Sequence, residues 1–564
     1  MPDLARVRSL FSRRTLRADL IAGLVLGVES VPDGLAAGLL AGVNPLAGLY
    51  SYLYGMVGAA FFTSSTFLAV QSTGSMALVV SDAQLASSPD PQRALVTLTL
   101  LTGALLVIAG LAGVGKLVRF APTAVMTGFL MAVGVNIVLG QLAAATGYSG
   151  RGPNRVVRTV DTLLHLGQWN LATTVTSAIT ILSIVVLVRT RLGALGMVVA
   201  VVVGSLTAAM LNLWIPRPVA TIAQLVDVPS TLPAPALPDL SQIPGLALPA
   251  LSLAFVCIIQ GAGVSRGLPH PEGRTVDASR DVVGQGIGNL IAGLFRGMPV
   301  GGSLSASLLV VQAGAKTRLS LFVAGAVMAA VIVVAAPVVA ATAMPALAGL
   351  LIVVGAASLT PARVRSVVGT GPLQTAVMAV TFVLTLLIPL QYAVITGIGL
   401  GFVLFIARQS GRTRLRLLEF SAGRVRESDP PASVPGRHVV VLQPYGSMFF
   451  ASAPVFERQL PAVDAASAHA VVILRLRGVD DVGIAFSRVL IRYAQRLRAV
   501  GGALMIVANE PTLLAELAAT GAVEAIGAEN VYRGTAWHGE ALERAMRDAH
   551  RRLATSPGPP EGPA

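Results

Sequence analysis

Residues 34–81, GLAAGLLAGVNPLAGLYSYLYGMVGAAFFTSSTFLAVQSTGSMALVVS, contain no charged side chain. About 20 apolar residues suffice to cross the hydrocarbon core of a bilayer, so this stretch alone can supply two membrane spans. It belongs to a pattern: charge-free stretches recur at 94–115, 120–150, 192–216, 240–265, 319–362 and 366–407. The chain is 54% hydrophobic and 12% charged, about half the charged share of an ordinary soluble domain. Mean hydropathy is +0.75. Spacing against the charged connections predicts a polytopic α-helical membrane protein of about fourteen transmembrane helices. They lie near 20–32, 35–58, 74–88, 95–113, 122–141, 171–188, 193–212, 247–265, 281–296, 303–314, 320–341, 345–360, 373–388 and 392–408.

A net charge of +14 raises the question of nucleic acid, but the distribution of the charges answers it. Arg6, Arg8, Arg13, Arg14 and Arg17 precede the first span. Lys116 and Arg119, Arg189 and Arg191, Lys316 and Arg318, Arg363 and Arg365, then Arg408, Arg412 and Arg414 occupy short connections between or after spans. Cytoplasmic loops carry an excess of Lys and Arg, so the pattern orients a multi-pass protein of the cell membrane, with both termini cytoplasmic and no nucleic-acid partner. Arg151, Arg155 and Arg158 fit this scheme poorly, because it leaves them outside. Leu20–Val28 after a basic segment has the look of a signal peptide, but Glu29, Pro32 and Asp33 interrupt it and no convincing cleavage site follows.

Enzymatic signatures are missing: there is no CxxC, no HExxH and no P-loop. The six histidines, His165, His270, His438, His469, His538 and His550, all lie outside the predicted spans, and no metal or cofactor is expected. Cys257, the single cysteine, sits in an apolar span as a packing residue. Without an ATPase signature, transport would be secondary or passive.

A Pro-rich segment, 215–249, separates seven spans from seven, and a weak echo links the halves. Ser72-Thr73-Gly74-Ser75-Met76 before Leu78-Val79-Val80 resembles Val300-Gly301-Gly302-Ser303-Leu304 before Leu309-Val310-Val311. Two segments, Gln71–Ser75 and Gly297–Ser303, place Gly, Ser or Thr at the start of a short apolar helix. Backbone N–H groups and the positive dipole end of a half-helix attract an anion there without a fixed counter-charge, and facing each other the two would form a cradle. Small residues that merely let helices pack closely are the structural alternative. Asn136 and Gln141, polar residues of the fifth span, are read as interhelical hydrogen-bond donors or acceptors rather than site residues.

The chain divides into an N-terminal cytoplasmic segment (1–18), a transmembrane transport domain (19–411), a linker (412–437), a soluble α/β domain (438–553) and a disordered tail (554–564). Val439–Leu442, Ala470–Leu476 and Ala503–Val507 read as strands. Phe486, Leu490, Tyr493 and Leu497 mark one helix face, and Leu513–Ala519 and Ala541–Leu553 read as further helices.

The chain resembles the sulfate permease (SulP) family of anion transporters. The resemblance rests on Arg17-Ala18-Asp19-Leu20-Ile21-Ala22-Gly23-Leu24, Pro32-Asp33-Gly34-Leu35-Ala36, Gly42-Val43-Asn44-Pro45 with Gly48-Leu49-Tyr50, Gly288-Asn289-Leu290-Ile291-Ala292-Gly293-Leu294-Phe295 and Gly297-Met298-Pro299-Val300. Its C-terminal region is similar to that family's STAS domain. The resemblance implies two inverted seven-helix repeats arranged as a core and a gate, substrate held between the N-termini of the third and tenth helices, a homodimer and an elevator-like movement. Matching the motif puts Thr73, Gly74 and Ser75 on one side of the substrate and Gly301, Gly302 and Ser303 on the other.

Some positions depart from the family pattern. Asp33 stands where many relatives have Gln, with Glu29 one helical turn earlier. Acids at bilayer depth are costly unless protonated, paired or cation-bound, so both are candidates for coupling to protons or another cation. Some relatives carry a cation-binding acid in the eighth helix, where this chain has Gln260, which makes sodium coupling doubtful and leaves an amide to bond an oxyanion. The Arg that follows the tenth-helix signature in some relatives is Ala306 here. In the STAS-like domain, Asp480-Asp481-Val482-Gly483-Ile484-Ala485-Phe486 lacks the acceptor hydroxyl of a phosphorylated turn, and the two acids are expected to cap the helix.

The function expected is secondary active transport, symport or exchange, of a small anion, above all sulfate. Bicarbonate or a dicarboxylate on the same fold, a uracil/xanthine-type permease, and a membrane-anchored anion sensor without flux are the alternatives.

Overall fold

The computed structural model describes residues 13–115, 123–214, 218–269, 276–411, 413–421, 423–479, 482–535, 537 and 539–555. The chain forms two compact units that meet at residues 401 and 402.

In the first unit, the first half runs α1 (Arg13–Leu40), α2 (Pro45–Phe62), β1 (Val70–Gln71), α3 (Gly74–Asp82), α4 (Pro91–Leu111), α5 (Thr123–Thr146), α6 (Arg155–Leu164), α7 (Leu171–Leu187) and α8 (Leu195–Asn212). The second half repeats the order with α9 (Ile243–Gly267), α10 (Ala278–Leu294), β2 (Gly301–Gly302), α11 (Leu304–Gln312), α12 (Leu319–Val334), α13 (Ala336–Ala340), α14 (Met344–Ser358), α15 (Pro361–Val368), α16 (Pro372–Leu387) and α17 (Leu390–Ser410). Setting aside the short α6, α13 and α15, fourteen helices among the described residues answer the fourteen predicted spans. Among the described residues, six helical segments are long and apolar enough to cross a membrane, with Pro91–Leu111 the most hydropathic at 2.3. By contrast, α3 and α11 have nine residues each and reach only about 14 Å, less than half the hydrocarbon thickness. Each follows a two-residue strand, and those strands pair antiparallel, Val70 with Gly302 and Gln71 with Gly301. Equivalent strands running in opposite directions are what inverted repeats produce.

Packing sorts the helices into two bundles. In one, α10 packs on α4 and α2, α12 on α1 and α2, and α9 on α4; in the other, α5 packs on α14 and α16, and α7 on α8 and α14. The α4–α10 crossing depends on small residues, since a Cβ on Gly103 would lie 2.8 Å from the Leu290 nitrogen and one on Gly286 2.7 Å from that of Val107.

The first predicted boundary needs correction. Pro32 lies inside α1, which continues to Leu40, so the breaks expected at 32 and 58 are replaced by a turn at Gly42 (φ +68°) and a second helix capped by Asn44, whose side chain accepts from Leu46 N–H. Pro removes one donor, but within a packed membrane bundle that loss is tolerable. The expected 215–249 loop is also shorter, because α9 begins at Ile243 and carries Pro249 within it.

The poorly fitting arginines have specific partners. Arg155 opens the short polar helix α6 and pairs with Asp82, at the end of α3, at 2.6 Å, with both side chains mostly buried. Asp82 also accepts from Leu390 N–H at 2.7 Å. Arg158 bonds the Gly152 carbonyl, and the Arg151 N–H donates to Asp161, which holds that carboxyl below the ordinary aspartate range. Asn136 makes the expected interhelical bond, donating to the Thr385 carbonyl of α16. Gln141 makes none among the described residues, and its Oε1 is buried without a partner there.

The second unit is built on a six-stranded sheet in the order β4 (Arg424–Ser428), β3 (Arg414–Ser421), β5 (Val439–Tyr445), β6 (Val471–Leu476), β7 (Ala503–Ala508), β8 (Val531–Arg533). β5 to β8 run parallel, while β3 and β4 form an antiparallel hairpin on the edge within the segment read above as a linker. Phe456 and Phe486, both fully buried with ring centroids 4.5 Å apart, sit in the core on one face of the sheet. Helix Glu540–Thr555 covers the other face through Ala541, Leu542, Ala545 and Ala549. The helix expected after the central strand spans Gly483–Ala499. Its expected caps, Asp480 and Asp481, lie outside the described residues; the N-cap position is Val482, whose N–H donates to Glu516.

Candidate functional site

The β1–β2 ladder brings the two half-helices together. Across it, Ser303 N–H donates to the Ala69 carbonyl at 2.9 Å, and Ala69 N–H donates to Ser307 Oγ at 2.9 Å. The N-termini of α3 and α11 are thereby held beside one another, with first-turn N–H groups that no helical carbonyl can satisfy.

Thr73 is the N-cap of α3, yet its hydroxyl does not cap. It donates instead to Gln260 Oε1 at 2.9 Å and lies 3.1 Å from Ser75 Oγ. Gln260 Nε2 closes the triangle on Ser75 Oγ at 2.5 Å. Three predicted residues from α3 and α9 therefore form one hydroxyl-and-amide cluster. Ser72 Oγ and Gln71 Oε1, both buried beside it, have no partner among the described residues. Such groups cost roughly 1–3 kcal/mol each if left unsatisfied, which makes them available for a ligand or water. Gly74 packs directly against the end of the Ile137 side chain of α5, whose Cδ1 a Cβ would run into.

On the opposite arm, a Cβ on Gly302 would stand 2.8 Å from the Gly261 Cα, and one on Gly301 3.1 Å from Cys257 Sγ. Ser303 does cap its own helix, accepting from Ala306 N–H at 3.4 Å, and lies 3.2 Å from Ser305 Oγ. Cys257 is buried against the Val300 carbonyl, in line with a packing role.

Two residues of α10 that sequence reasoning overlooked as positioning groups hold this arm in place. Asn289 donates to the Val300 carbonyl at 2.6 Å and accepts its N–H at 2.9 Å, while Gln285 accepts the Gly302 N–H at 2.9 Å. Two amides one turn apart in the otherwise apolar stretch 282–294 were the available signal. The buried acids Asp281 and Asp19 are likewise structural. Asp281 accepts from Ser64, Ser65 and Ser265, and Asp19 from the Lys316 and Thr317 N–H groups and the Thr317 hydroxyl.

Asp33 reaches the cluster indirectly. Tyr52, a third residue that was overlooked, lies 2.6 Å from Asp33 Oδ2 and 2.8 Å from the Ser72 carbonyl. Glu29, one turn earlier on α1, makes no hydrogen bond or ion pair among the described residues. No Lys, Arg or His occurs on α1 after Arg17 or on the other elements packed against it, α2, α3, α5, α8, α11, α12 and α14. In this neighbourhood a cationic side chain cannot neutralise either acid.

Family comparison agrees with this architecture. The family model described as "Sulfate permease family" matches residues 16–388, and the STAS domain model matches 430–536. The chain is 26% identical to the putative sulfate transporter YvdB of Bacillus subtilis over 527 residues, 93% of this chain and 97% of that one. It is 27% identical over 410 residues to the bicarbonate transporter BicA of Picosynechococcus, covering 70% and 71% of the two chains. The solved structure of SLC26A9 superposes with a TM-score of 0.82 at 18% identity, covering 98% of this chain and 94% of that one, which establishes a shared fold. With inverted repeats, two facing half-helices and a STAS domain in the order the family model requires, the chain belongs to the sulfate permease family: it is a membrane anion transporter, not an enzyme.

Proposed function

We propose that the protein moves a small oxyanion, sulfate first, across the cell membrane by secondary active transport with alternating access. The carrying observation is the junction of the two half-helices, where the Thr73, Ser75 and Gln260 cluster meets the glycines of β2. Two helix N-termini supply partial positive charge, and hydroxyls and N–H groups replace hydration without a cation that would hold the anion too tightly to release. Thr73, Gly74, Ser75 and Gln260 bind from one side, and Gly301, Gly302 and Ser303 close the site from the other as its fixed wall. Glu29 and Asp33 couple the movement to protons, since Gln260 offers no charge to a metal cation and the surrounding helices offer none to the acids. Both termini face the cytoplasm, in keeping with the basic connections, and the protein works as a homodimer in the bilayer.

Proteoliposome uptake of radiolabelled sulfate, with and without an inward proton gradient, tests this reading. Gradient-stimulated uptake is expected. Uptake that bicarbonate, chloride or fumarate abolishes more effectively than unlabelled sulfate reassigns the substrate, and no uptake of any of them refutes transport.

A further inference from the structure

A phenol carries one hydrogen, and a peptide carbonyl can only accept. Tyr52 nevertheless lies within hydrogen-bond distance of two acceptors, Asp33 Oδ2 at 2.6 Å and the Ser72 carbonyl at 2.8 Å, while its side chain is almost fully buried. Both contacts are full hydrogen bonds in one arrangement: the carboxyl of Asp33 donates to Tyr52, and Tyr52 donates to Ser72. If Asp33 loses its proton, the phenolic hydrogen turns to the carboxylate and the Ser72 carbonyl is left facing an oxygen lone pair.

The Ser72 carbonyl shares its peptide unit with the N–H of Thr73, the N-cap of α3. A hydrogen bond to the carbonyl polarises that unit and makes its N–H a stronger donor, as hydrogen-bond chains do in a low-dielectric interior. We propose that Tyr52 is a positioning residue that links protonation of Asp33 to anion affinity at the N-terminus of α3, so that proton and oxyanion bind together. This rests on the transport reading above and adds to it the group that couples the two ligands and the sign of the coupling.

The other titratable groups near Asp33 can be named. Glu29 lies on the same helix, and α2 carries Tyr50 and Tyr54 besides Tyr52. The one acid of α3, Asp82, is paired with Arg155. α5, α8, α11, α12 and α14, which also pack on α1, carry no titratable or charged side chain. Among the described residues of these elements no base competes for the proton, and Glu29 is the acid that could share it.

Two substitutions separate the relay from a structural role. Tyr52→Phe keeps the ring and removes the link. Asp33→Asn replaces the carboxyl with an amide that can still donate to Tyr52, imitating the protonated state at every pH. In the wild type, sulfate affinity of the purified full-length protein should fall by about tenfold between acid and neutral pH. Asp33→Asn should keep the tight affinity and lose the pH response; Tyr52→Phe should lose the response at the weak affinity. Opposite affinities with equal loss of pH dependence support the relay. A wild-type pH response in Tyr52→Phe, or equal weakening in both variants, overturns it.

An anion-free readout distinguishes failure of the relay from failure of the transport reading. The infrared C=O stretch of protonated carboxyls should include in the wild type a component that is lost in Asp33→Asn and shifted in Tyr52→Phe, beside any component from Glu29, which both variants keep. If that band is seen without uptake of sulfate or of any other anion tested, the transport reading falls and the hydrogen-bonded pair stands. If uptake is seen and the band is missing or insensitive to both substitutions, the relay falls. Should Tyr52→Phe fail to fold, the band and pH profile of Asp33→Asn still decide, because a pH response undiminished in that variant overturns the relay.

Discussion

The two half-helices come from equivalent places in the repeats, yet they use their polar groups differently. On the α11 arm nearly everything is committed to structure: Ser303 caps its helix, Asn289 holds both polar groups of Val300, and Gln285 takes the Gly302 N–H. On the α3 arm the cap hydroxyl of Thr73 is turned to Gln260, Ser72 Oγ and Gln71 Oε1 are unpartnered among the described residues, and the Ser72 carbonyl is tied to an acid through Tyr52. A symmetric framework therefore carries an asymmetric chemistry. The α11 arm is a fixed wall, and the α3 arm is the one whose hydrogen bonds can respond to ligand and proton.

The sharpest way to break this comparison is at the glycines. Gly302→Val would drive a Cβ to 2.8 Å from the backbone of Gly261, against which nothing can yield. Overpacking of this kind costs about 1–3 kcal/mol or more, so uptake should drop below detection and the melting temperature should fall. Gly74→Ala on the other arm meets the end of the flexible Ile137 side chain and should retain measurable uptake. Equal loss in the two variants would mean that both arms are rigid.

Next comes the brace. Asn289→Leu leaves the Val300 N–H without its partner and deprives the carbonyl of one of its two donors, at about 1–3 kcal/mol for the buried N–H. A lower denaturation midpoint is expected in detergent, with sulfate KM affected only to the extent that folded protein is lost.

A smaller effect on stability but a clear one on affinity is expected for Thr73→Val, which keeps the shape and removes the hydroxyl bridging Gln260 and Ser75. Loss of a hydrogen bond worth about 1–1.5 kcal/mol should raise sulfate KM by roughly tenfold. The smallest functional effect belongs to Ser303→Ala, whose loss of a cap costs about 1 kcal/mol of stability while KM stays within about twofold. If Ser303→Ala raises KM as much as Thr73→Val, the arms are equivalent and the contrast fails.

Much of this architecture was legible beforehand because a bilayer imposes a simple rule. Charge-free runs of sufficient length must be helices, and the predicted α7, α9 and α14 spans lie within a few residues of the observed helices. The short helices after Thr73 and Ser303 were visible as Gly- and Ser-bearing breaks. The run through Pro32 was not, since a proline and an acid look like a boundary when the helix packed against them is unknown. The edge hairpin at 414–428 was missed for a related reason: Arg414-Leu415-Arg416-Leu417 alternates, but its arginines follow the last span and read as a charged linker, and pairing with β5 determines its conformation.

By itself, the sequence determined that the chain spans a membrane many times, repeats itself, carries a soluble α/β domain and places Gly, Ser and Thr at two helix starts. These are properties of composition and local spacing. Only the tertiary structure decided that Thr73 turns to Gln260, 187 positions away, that Asn289 and Gln285 hold β2, and that Tyr52 joins Asp33 to Ser72. Hydrogen bonds between distant residues depend on distances of a few ångströms, which the packing of the helices sets and which no local pattern of residues encodes.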